Sequence, residues 1–405
     1  ITPSKSGASH LEEHHWRSRF AELGGLRQVP VPFIKASQQM QSRGIRNLVI
    51  QLVIWSDTFN DSIEASSMSE KSGGIPPIVK IYLLLAVLLG GSGWWVVRQS
   101  DFEPANALSW LAGKPLFQAA QTLTGHEDLV QSVSISPDGS TLVSGSDDNT
   151  LKIWDLATGE LRQTLTEHDS TVQSVSISPD GSTLVSGGLD GTIKIWNLAT
   201  GELRQTLDSI ANSTSISPDG STLVSGSWYG IKIWNLETGE LRQTLTEHDG
   251  EVRSVSISAD GSTLVSGGWD STLKIWNLAT GELRQTLTGH DYWIESTSIS
   301  PDGSTLVSSS GDKTLKIWDM ATGELRQTLA GQDRGANCVS ISPDGSTLVS
   351  CNGTNLKIWD LATGRLRQTI TGHDSFISSV SISPDGNIIA SGSADDTIKL
   401  WRVTP

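Results

Sequence analysis

A sequence repeat is the feature that most constrains how this chain can fold. The segment S-P-D-G-S-T-L-V-S recurs in near-identical copies, and each copy is followed by K-I-W or K-L-W. One unit of this size cannot bury its own apolar face, so it must stack against further copies. The spacings between the tryptophans that end the units are 42, 38, 42, 42, 41 and 42 residues, which predicts seven units in one ring. These residues are Trp154, Trp196, Trp234, Trp276, Trp318, Trp359 and Trp401.

The first unit reads as four short strands. Val133 and Leu142 lie in Ser/Thr-rich runs of largely alternating polarity, which is typical of half-buried strands. Pro137–Gly139 between them is a turn sequence. Leu151–Trp154 predicts a third strand and Leu161–Leu165 a fourth. The expected fold class is therefore all-β, a seven-bladed β-propeller of four-stranded antiparallel blades, preceded by a single transmembrane helix.

The first unit opens with Gly125-His126 and closes its third strand with Trp154-Asp155, and it resembles the WD-repeat β-propeller family. The near-identical repeats are similar to those of bacterial, cyanobacterial-like, membrane-anchored WD-repeat proteins. The paired motifs recur along the chain, which makes the resemblance specific. Gly-His stands at 125, 289 and 372, Glu-His at 167 and 247, Trp-Asp at 154, 318 and 359, and Trp-Asn at 196, 234 and 276.

The last unit ends after its third strand, because only Trp401–Pro405 remains. Residues 116–123, before the first Gly-His, match the fourth-strand pattern L-R-Q-T-L. We expect this segment to complete the seventh blade and close the ring, which removes an open sheet edge.

His126, Ser144 and Asp148 are residue types that a hydrolase uses for nucleophilic catalysis. The resemblance implies a different role, a buried hydrogen-bond network from the Trp154 indole through Ser and His to the turn Asp. A hydrolase needs one exposed nucleophile, whereas this set recurs in five units, so we interpret it as structural. No catalytic residue is assigned. The matching residues are His168, Asp190, Trp196, His248, Asp270, Trp276, His290, Asp312, Trp318, His373, Asp395 and Trp401.

The repeats differ mainly after Gly-His and before the third strand, two loops that the resemblance places together on the top face. Aromatic residues there are typical of partner-binding surfaces, although rings that merely fill space are the alternative. The polar surround comprises Arg253, Glu251, Glu295 and Arg334. The remaining predicted partner-binding residues are Trp228, Tyr229, Trp269, Tyr292, Trp293, Phe376, Leu129 and Leu189.

Residues 116–405 contain 18 Lys and Arg against 35 Asp and Glu, a net charge of −17. This charge disfavours nucleic acid as a partner. The spacing of His and Cys indicates no metal site, and no cofactor is expected. Cys338 and Cys351 are predicted to lie opposite each other on neighbouring strands. A disulfide is geometrically possible there, and two free buried thiols are the alternative that we prefer.

The region before the repeats contains an apolar run. Residues 78–97 carry Lys80 as their one charge and are long enough for a transmembrane helix, with a cleavable signal peptide as the alternative. Residues 98–115 are a linker and 68–77 a short flank. Residues 1–67 show no domain pattern and are an unstructured or spurious extension, or a disordered cytoplasmic tail. The charge balance places the propeller, 116–405, on the non-cytoplasmic side of a single-pass membrane protein.

The function predicted from these features is a non-enzymatic scaffold. A membrane-tethered, monomeric propeller would bind protein or peptide partners through its top face. A propeller that binds a glycan or another small ligand, or the sensor module of a signalling assembly, is the alternative. A Gly-rich phosphate loop and a kinase catalytic loop are both missing from the sequence, which argues against an enzyme.

Overall fold

The computed structural model describes residues 117–332 and 335–404. These residues form seven antiparallel sheets of four strands each, as the sequence predicts. The first four strands after the leading strand make blade one, and each later group of four makes the next blade. The leading strand is β1 (Phe117–Thr124), and blades one to three are β2 (Val130–Ile135), β3 (Thr141–Ser146), β4 (Leu151–Asp155), β5 (Leu161–Leu165), β6 (Val172–Ile177), β7 (Thr183–Gly188), β8 (Thr192–Asn197), β9 (Leu203–Asp208), β10 (Ser213–Ile216), β11 (Thr222–Ser227), β12 (Gly230–Asn235) and β13 (Leu241–Leu245).

Blades four to seven repeat this plan with the same strand order. Blade seven takes its fourth strand from β1. The strands are β14 (Val252–Ile257), β15 (Thr263–Gly268), β16 (Leu273–Asn277), β17 (Leu283–Leu287), β18 (Ile294–Ile299), β19 (Thr305–Ser310), β20 (Leu315–Asp319), β21 (Leu325–Leu329), β22 (Val339–Ile341), β23 (Thr347–Asn352), β24 (Asn355–Asp360), β25 (Arg365–Thr371), β26 (Ile377–Ile382), β27 (Ile388–Ser393) and β28 (Thr397–Val403).

The turn between the first two strands of a blade is fixed by its own side chains. In blade one the Asp138 carboxylate accepts hydrogen bonds from the Ser136 hydroxyl at 2.5 Å and from the main-chain N–H of Ser140 at 3.0 Å. These bonds lower the pKa of Asp138 to about 2. Gly139 has a φ of 71°, a left-handed conformation that glycine adopts without steric cost. The repeated P-D-G therefore specifies the hairpin.

The hydrophobic cores lie between blades rather than inside them. Val143 and Leu151 of blade one pack in one cluster with Leu184 and Trp196 of blade two. All four side chains are at most 1% exposed. Comparable clusters join each successive pair of blades. One blade alone would leave these faces in water, which is the reason that the repeat produces a ring.

Strand β1 closes that ring by pairing with β28. The register aligns Phe117 with Val403 and Leu123 with Ile398. Leu123 is 3% exposed and packs in the cluster that joins blade seven to blade one. The first and last described strands are therefore neighbours in one sheet. Their pairing covers the edge of β28 that would otherwise be open.

A hydrogen-bond chain links two strands, the loop before the first strand and a turn within blade one. The Trp154 indole Nε1–H donates to Ser144 Oγ at 2.9 Å, and Ser144 Oγ lies 2.7 Å from His126 Nε2. His126 Nδ1 lies 2.7 Å from Asp148 Oδ2. The same chain recurs in blades two, four, five and seven, through Ser186, Ser266, Ser308 and Ser391.

The hydrogen-bonding capacity of each group limits how this chain can run. An indole can only donate, so the Ser144 hydroxyl oxygen accepts from Trp154. A carboxylate can only accept, so His126 Nδ1–H donates to Asp148. Burial lowers the pKa of the equivalent His168, against the opposing effect of its aspartate.

Blades three and six lack part of this chain. In blade three Trp234 still donates to Ser225, at 3.0 Å, but no histidine stands behind the serine. In blade six the Gln332 amide donates to Ser350 at 3.0 Å, and Gln332 Oε1 is buried with no hydrogen-bond partner among the described residues. The first strands of these blades have 4 and 3 residues, whereas the first strands of the other blades have 6.

Replacing a network histidine by the residue that blade six uses tests the energetic contribution of the network. We expect His290→Gln to lower the free energy of unfolding by about 1–3 kcal/mol, because the new amide oxygen is buried without a donor. Chemical denaturation of the variant and the wild type measures this difference. Asp291→Asn, at an exposed neighbouring side chain, is the control and should stay within about 0.5 kcal/mol of wild type. Equal stability of the two variants would contradict a stabilising network.

The network also predicts that the protein loses stability in acid. Burial lowers the pKa of His168, His290 and His373 below the ordinary value of 6.5. The unfolded chain then binds more protons, so stability is complete above about pH 6.5 and falls as the pH drops through the folded-state pKa values. Thermal unfolding between pH 8 and pH 4.5 measures the effect. The His290→Gln variant should show a shallower fall, and a flat wild-type profile would refute the prediction.

Candidate functional site

The two ends of each blade carry different kinds of loop. In a four-stranded antiparallel blade the first and third turns lie at one end, and the second turn and the connection to the next blade lie at the other. The first end carries the repeated P-D-G turn, which is A-D-G in blade four, and the A-T-G-E turn, which is E-T-G-E in blade three and A-T-G-R in blade six. The second end, the top face, carries the sequence differences between blades. A surface that varies on a constant scaffold is the natural place for a specific site.

Four aromatic rings on the top face form one continuous row across blades three, four and five. The Trp228 ring lies edge-on to Trp269, with centroids 4.8 Å apart. Trp269 stacks on Trp293 at 5.4 Å, and Trp293 contacts Tyr292 at 4.0 Å. Trp228, Trp269 and Tyr292 are 54%, 41% and 46% exposed. We call these four residues the aromatic arc.

Local backbone contacts position the arc. The main-chain N–H of Trp269 donates to the carbonyl of Glu251 at 2.9 Å, which joins the second turn of blade four to the loop that enters it. Gly250 lies against the same turn, and a Cβ added there would meet Trp269 Cβ at 3.2 Å. Blade three shortens its turn to Trp228-Tyr229, followed by Gly230 with a φ of 97°.

Other residues predicted for the partner surface lie outside the arc. Tyr229 is 72% exposed in the turn beside Trp228, and no ring contact joins it to the arc in the described part of the chain. Leu189 and Phe376 are each 43% exposed, on blades two and seven. Leu129 is half-buried on blade one. The structure thus brings four of the predicted side chains together and leaves these four separate.

A polar cluster lies beside the arc on the same three blades. Glu251 Oε1 accepts a hydrogen bond from Asn212 Nδ2 at 2.7 Å and lies 3.3 Å from Arg253 Nη1. Arg253 Nε lies 3.3 Å from Glu295 Oε2. The Glu251 side chain is 2% exposed, and its Oε2 is buried with no hydrogen-bond partner among the described residues. Burial raises the pKa of Glu251 in spite of Arg253. We call these four residues the carboxylate cluster.

The sequence predicts Arg253, Glu251 and Glu295 as part of the polar surround of the aromatic residues, and it does not predict Asn212. Glu251 stands three residues after the network histidine, where other blades have Leu129, Thr171, Trp293 or Phe376. Blade four has an acid where these other blades have uncharged residues, and this difference can be seen in the sequence alone. The Glu251 carboxylate accepts a hydrogen bond from Asn212 of the preceding blade, and no repeat comparison reveals that contact.

The Ser-His-Asp sets do not form a nucleophilic site. Ser144 is fully buried, and its hydroxyl already joins Trp154 to His126. The equivalent Ser186 and Ser308 are equally buried. A hydroxyl in this position cannot reach a substrate, so these sets connect strands instead.

Cys338 and Cys351 are joined in a disulfide. Their Cα atoms are 5.2 Å apart, and the main-chain N–H of Cys351 donates to the carbonyl of Cys338 at 3.0 Å. The structure therefore has the bond where we preferred two free thiols. The hairpin places the residues directly opposite each other, within the distance that a disulfide bridges. Both are buried in the core between blades six and seven.

Several sequence predictions concern residues outside the described part of the chain. These are the extension 1–67, the flank 68–77, the transmembrane helix 78–97 and the linker 98–115. Across residues 117–332 and 335–404, no helix has the length and hydropathy needed to cross a membrane. The same ranges contain no group of His, Cys, Asp and Glu that could hold a metal ion.

Similar proteins share a short segment with this chain. The "Ribosome biogenesis protein BOP1 homolog" of Drosophila erecta is 69% identical over 35 residues, which is 9% of this chain and 4% of that protein. The protein of the same name from Drosophila melanogaster matches to the same extent, and that of Drosophila willistoni is 66% identical over 35 residues. The chain therefore covers only a small fraction of the length of these relatives.

These relatives correct the predicted location. A single-pass membrane protein with its propeller on the non-cytoplasmic side is wrong, because the relatives are named for ribosome biogenesis. That prediction depended on the hydropathy of residues 78–97 and on the charges beside them. Hydropathy reports only how apolar a segment is. The relatives are insect proteins and do not support a bacterial source. They also give no support to the exclusion of nucleic acid as a partner.

A protein family matches the whole of the described ring. The family is "WD40: WD domain, G-beta repeat", and its matches cover more than half of the chain. They fall on residues 117–155, 159–197, 201–235, 239–277, 281–319, 323–360 and 364–402. Each match begins in the fourth strand or the turn before it and ends at the third strand of the next blade. The chain belongs to the WD40 repeat family.

Proposed function

We propose that this protein is a non-enzymatic interaction scaffold whose top face binds a protein or peptide partner. Membership of the WD40 family supports a scaffold in general terms. The segment of 35 residues shared with the relatives is shorter than one repeat. Their names therefore assign no function to this chain. The proposal depends on the top face itself.

The aromatic arc is the observation that carries the proposal. Large exposed rings in mutual contact form an apolar patch, and such patches on soluble proteins usually mark interaction sites. Trp and Tyr supply much contact area and lose little conformational freedom on binding. Trp228, Trp269 and Trp293 come from three different blades, so the packing within any one blade does not require their contact. The opposite face, which carries the constant turns, offers no comparable feature among the described residues.

Partner capture with the full-length chain tests this proposal. We expect Trp269→Asp/Trp293→Asp to lose partners that the wild type retains, with affinity falling at least about 30-fold, because it removes the centre of the arc. Captured proteins are quantified by mass spectrometry after thermal melting has shown that the variant is folded.

A matched control substitutes apolar side chains elsewhere on the propeller. Leu325 and Leu366 are 43% and 46% exposed on fourth strands, away from the top face. Leu325→Asp/Leu366→Asp should retain the wild-type set of partners. If the arc variant keeps these partners as well as the control does, the top-face proposal fails and the arc is loop packing.

A further inference from the structure

This inference rests on the proposed function and specifies the chemistry of the partner. We infer that the top face recognises an arginine side chain of the bound peptide. Its guanidinium group pairs with Glu251 in the carboxylate cluster and stacks on the aromatic arc. The protein does not need such a ligand to hold the arc or the cluster in place. Together they present the groups that a guanidinium binds.

The carboxylate cluster lacks one cationic donor. Two carboxylates, Glu251 and Glu295, share the single guanidinium of Arg253. Both contacts are 3.3 Å long, whereas charge-assisted hydrogen bonds are usually about 2.7–2.9 Å. Glu251 Oε2 has no hydrogen-bond partner although its side chain is 2% exposed. A buried polar oxygen without a donor costs free energy, and a second guanidinium would satisfy it.

The aromatic arc adjoins the main chain of Glu251. The Trp269 N–H is bonded to the Glu251 carbonyl at 2.9 Å, and Trp293 precedes Glu295 by two residues. The arc and the cluster therefore occupy the same part of the top face. A guanidinium interacts favourably with the face of a tryptophan and, at the same time, donates two parallel hydrogen bonds to a carboxylate. An ammonium group lacks that planar fork, which favours arginine over lysine.

The surrounding charges favour a cation as well. The residue after each network histidine is acidic and exposed, and these carboxylates surround the top face. They attract cationic ligands and repel acidic ones. Lys313, exposed in the second turn of blade five, and Arg253 are the opposing charges next to the arc. The acidic residues are Glu127, Asp169, Asp249, Asp291 and Asp374.

Arg253 occupies part of the proposed site in the free protein. Its side chain is 36% exposed, so solvent reaches it and it can move. We expect it to shift onto Glu295 when the ligand guanidinium binds Glu251. Arg253 therefore competes with the ligand, and its removal should strengthen binding.

Immobilised peptide pools test the inference with the full-length protein. Each pool has random flanking residues and one fixed central residue, which is arginine, lysine, citrulline or leucine. Citrulline keeps the shape of arginine and removes its charge. We expect retention on the arginine pool to exceed retention on the citrulline pool by at least about tenfold.

Three single variants assign the effect to the cluster. Glu251→Gln should lower retention on the arginine pool about tenfold or more and leave the citrulline pool unchanged. Arg253→Met, which keeps an apolar stem and removes the charge, should raise retention on the arginine pool. Glu324→Gln, at an exposed turn on the opposite face, should bind as the wild type does. Wild-type retention of Glu251→Gln on the arginine pool, or weaker retention of Arg253→Met, overturns the inference.

The outcomes separate this inference from the proposed function. Equal retention on the lysine and arginine pools overturns the choice of arginine. Equal retention on the citrulline or leucine pool, lost in Trp269→Asp/Trp293→Asp, overturns the cationic anchor and leaves the proposed function standing. Retention on no pool also overturns the inference, and the partner capture described above then decides the function by itself.

Discussion

Every hydrophobic core described in this protein lies between two sheets, and the rest of the structure depends on that constraint. Val143 of blade one is fully buried only because Leu184 and Trp196 of blade two cover it. A closed ring is the arrangement in which every blade has two such neighbours. The loops on the top face contribute only Ala211 and Ala336 to these cores. They are therefore free to differ between blades, and the aromatic arc and the carboxylate cluster formed there.

The tryptophan that ends each repeat connects two kinds of interaction. The Trp196 ring belongs to the core shared with blade one, and its N–H donates to Ser186 within blade two. Packing between blades and hydrogen bonding within a blade therefore depend on one side chain. The serine is the junction, because its hydroxyl oxygen accepts from the indole and is also hydrogen-bonded to the histidine. Blades three and six keep this tryptophan–serine bond without the histidine, so the bond is the more basic element of the repeat.

The sequence predicts what recurs and fails on what occurs once. Seven blades, their four strands and the partner of β1 follow from the period and from one displaced copy of the fourth-strand pattern. The contacts of Trp269 with Trp228 and Trp293 depend on the separation of loops on different blades, which no period reports. The hydrogen bond from Asn212 to Glu251 likewise joins loops of two blades. The site was therefore predicted as a set of residue types, whereas the fold was predicted as a geometry.

The pairing of β1 with β28 has a consequence for how the protein folds as it is made. Phe117 and Val403 are partners in one sheet although 286 positions separate them in the chain. At a synthesis rate of about 5–20 residues per second, β1 waits of the order of 15 to 60 seconds for its partner. During that time six complete blades can assemble, while the first strand and the open side of blade one remain exposed. Ring closure therefore cannot occur before β28 has been synthesised and has left the ribosome.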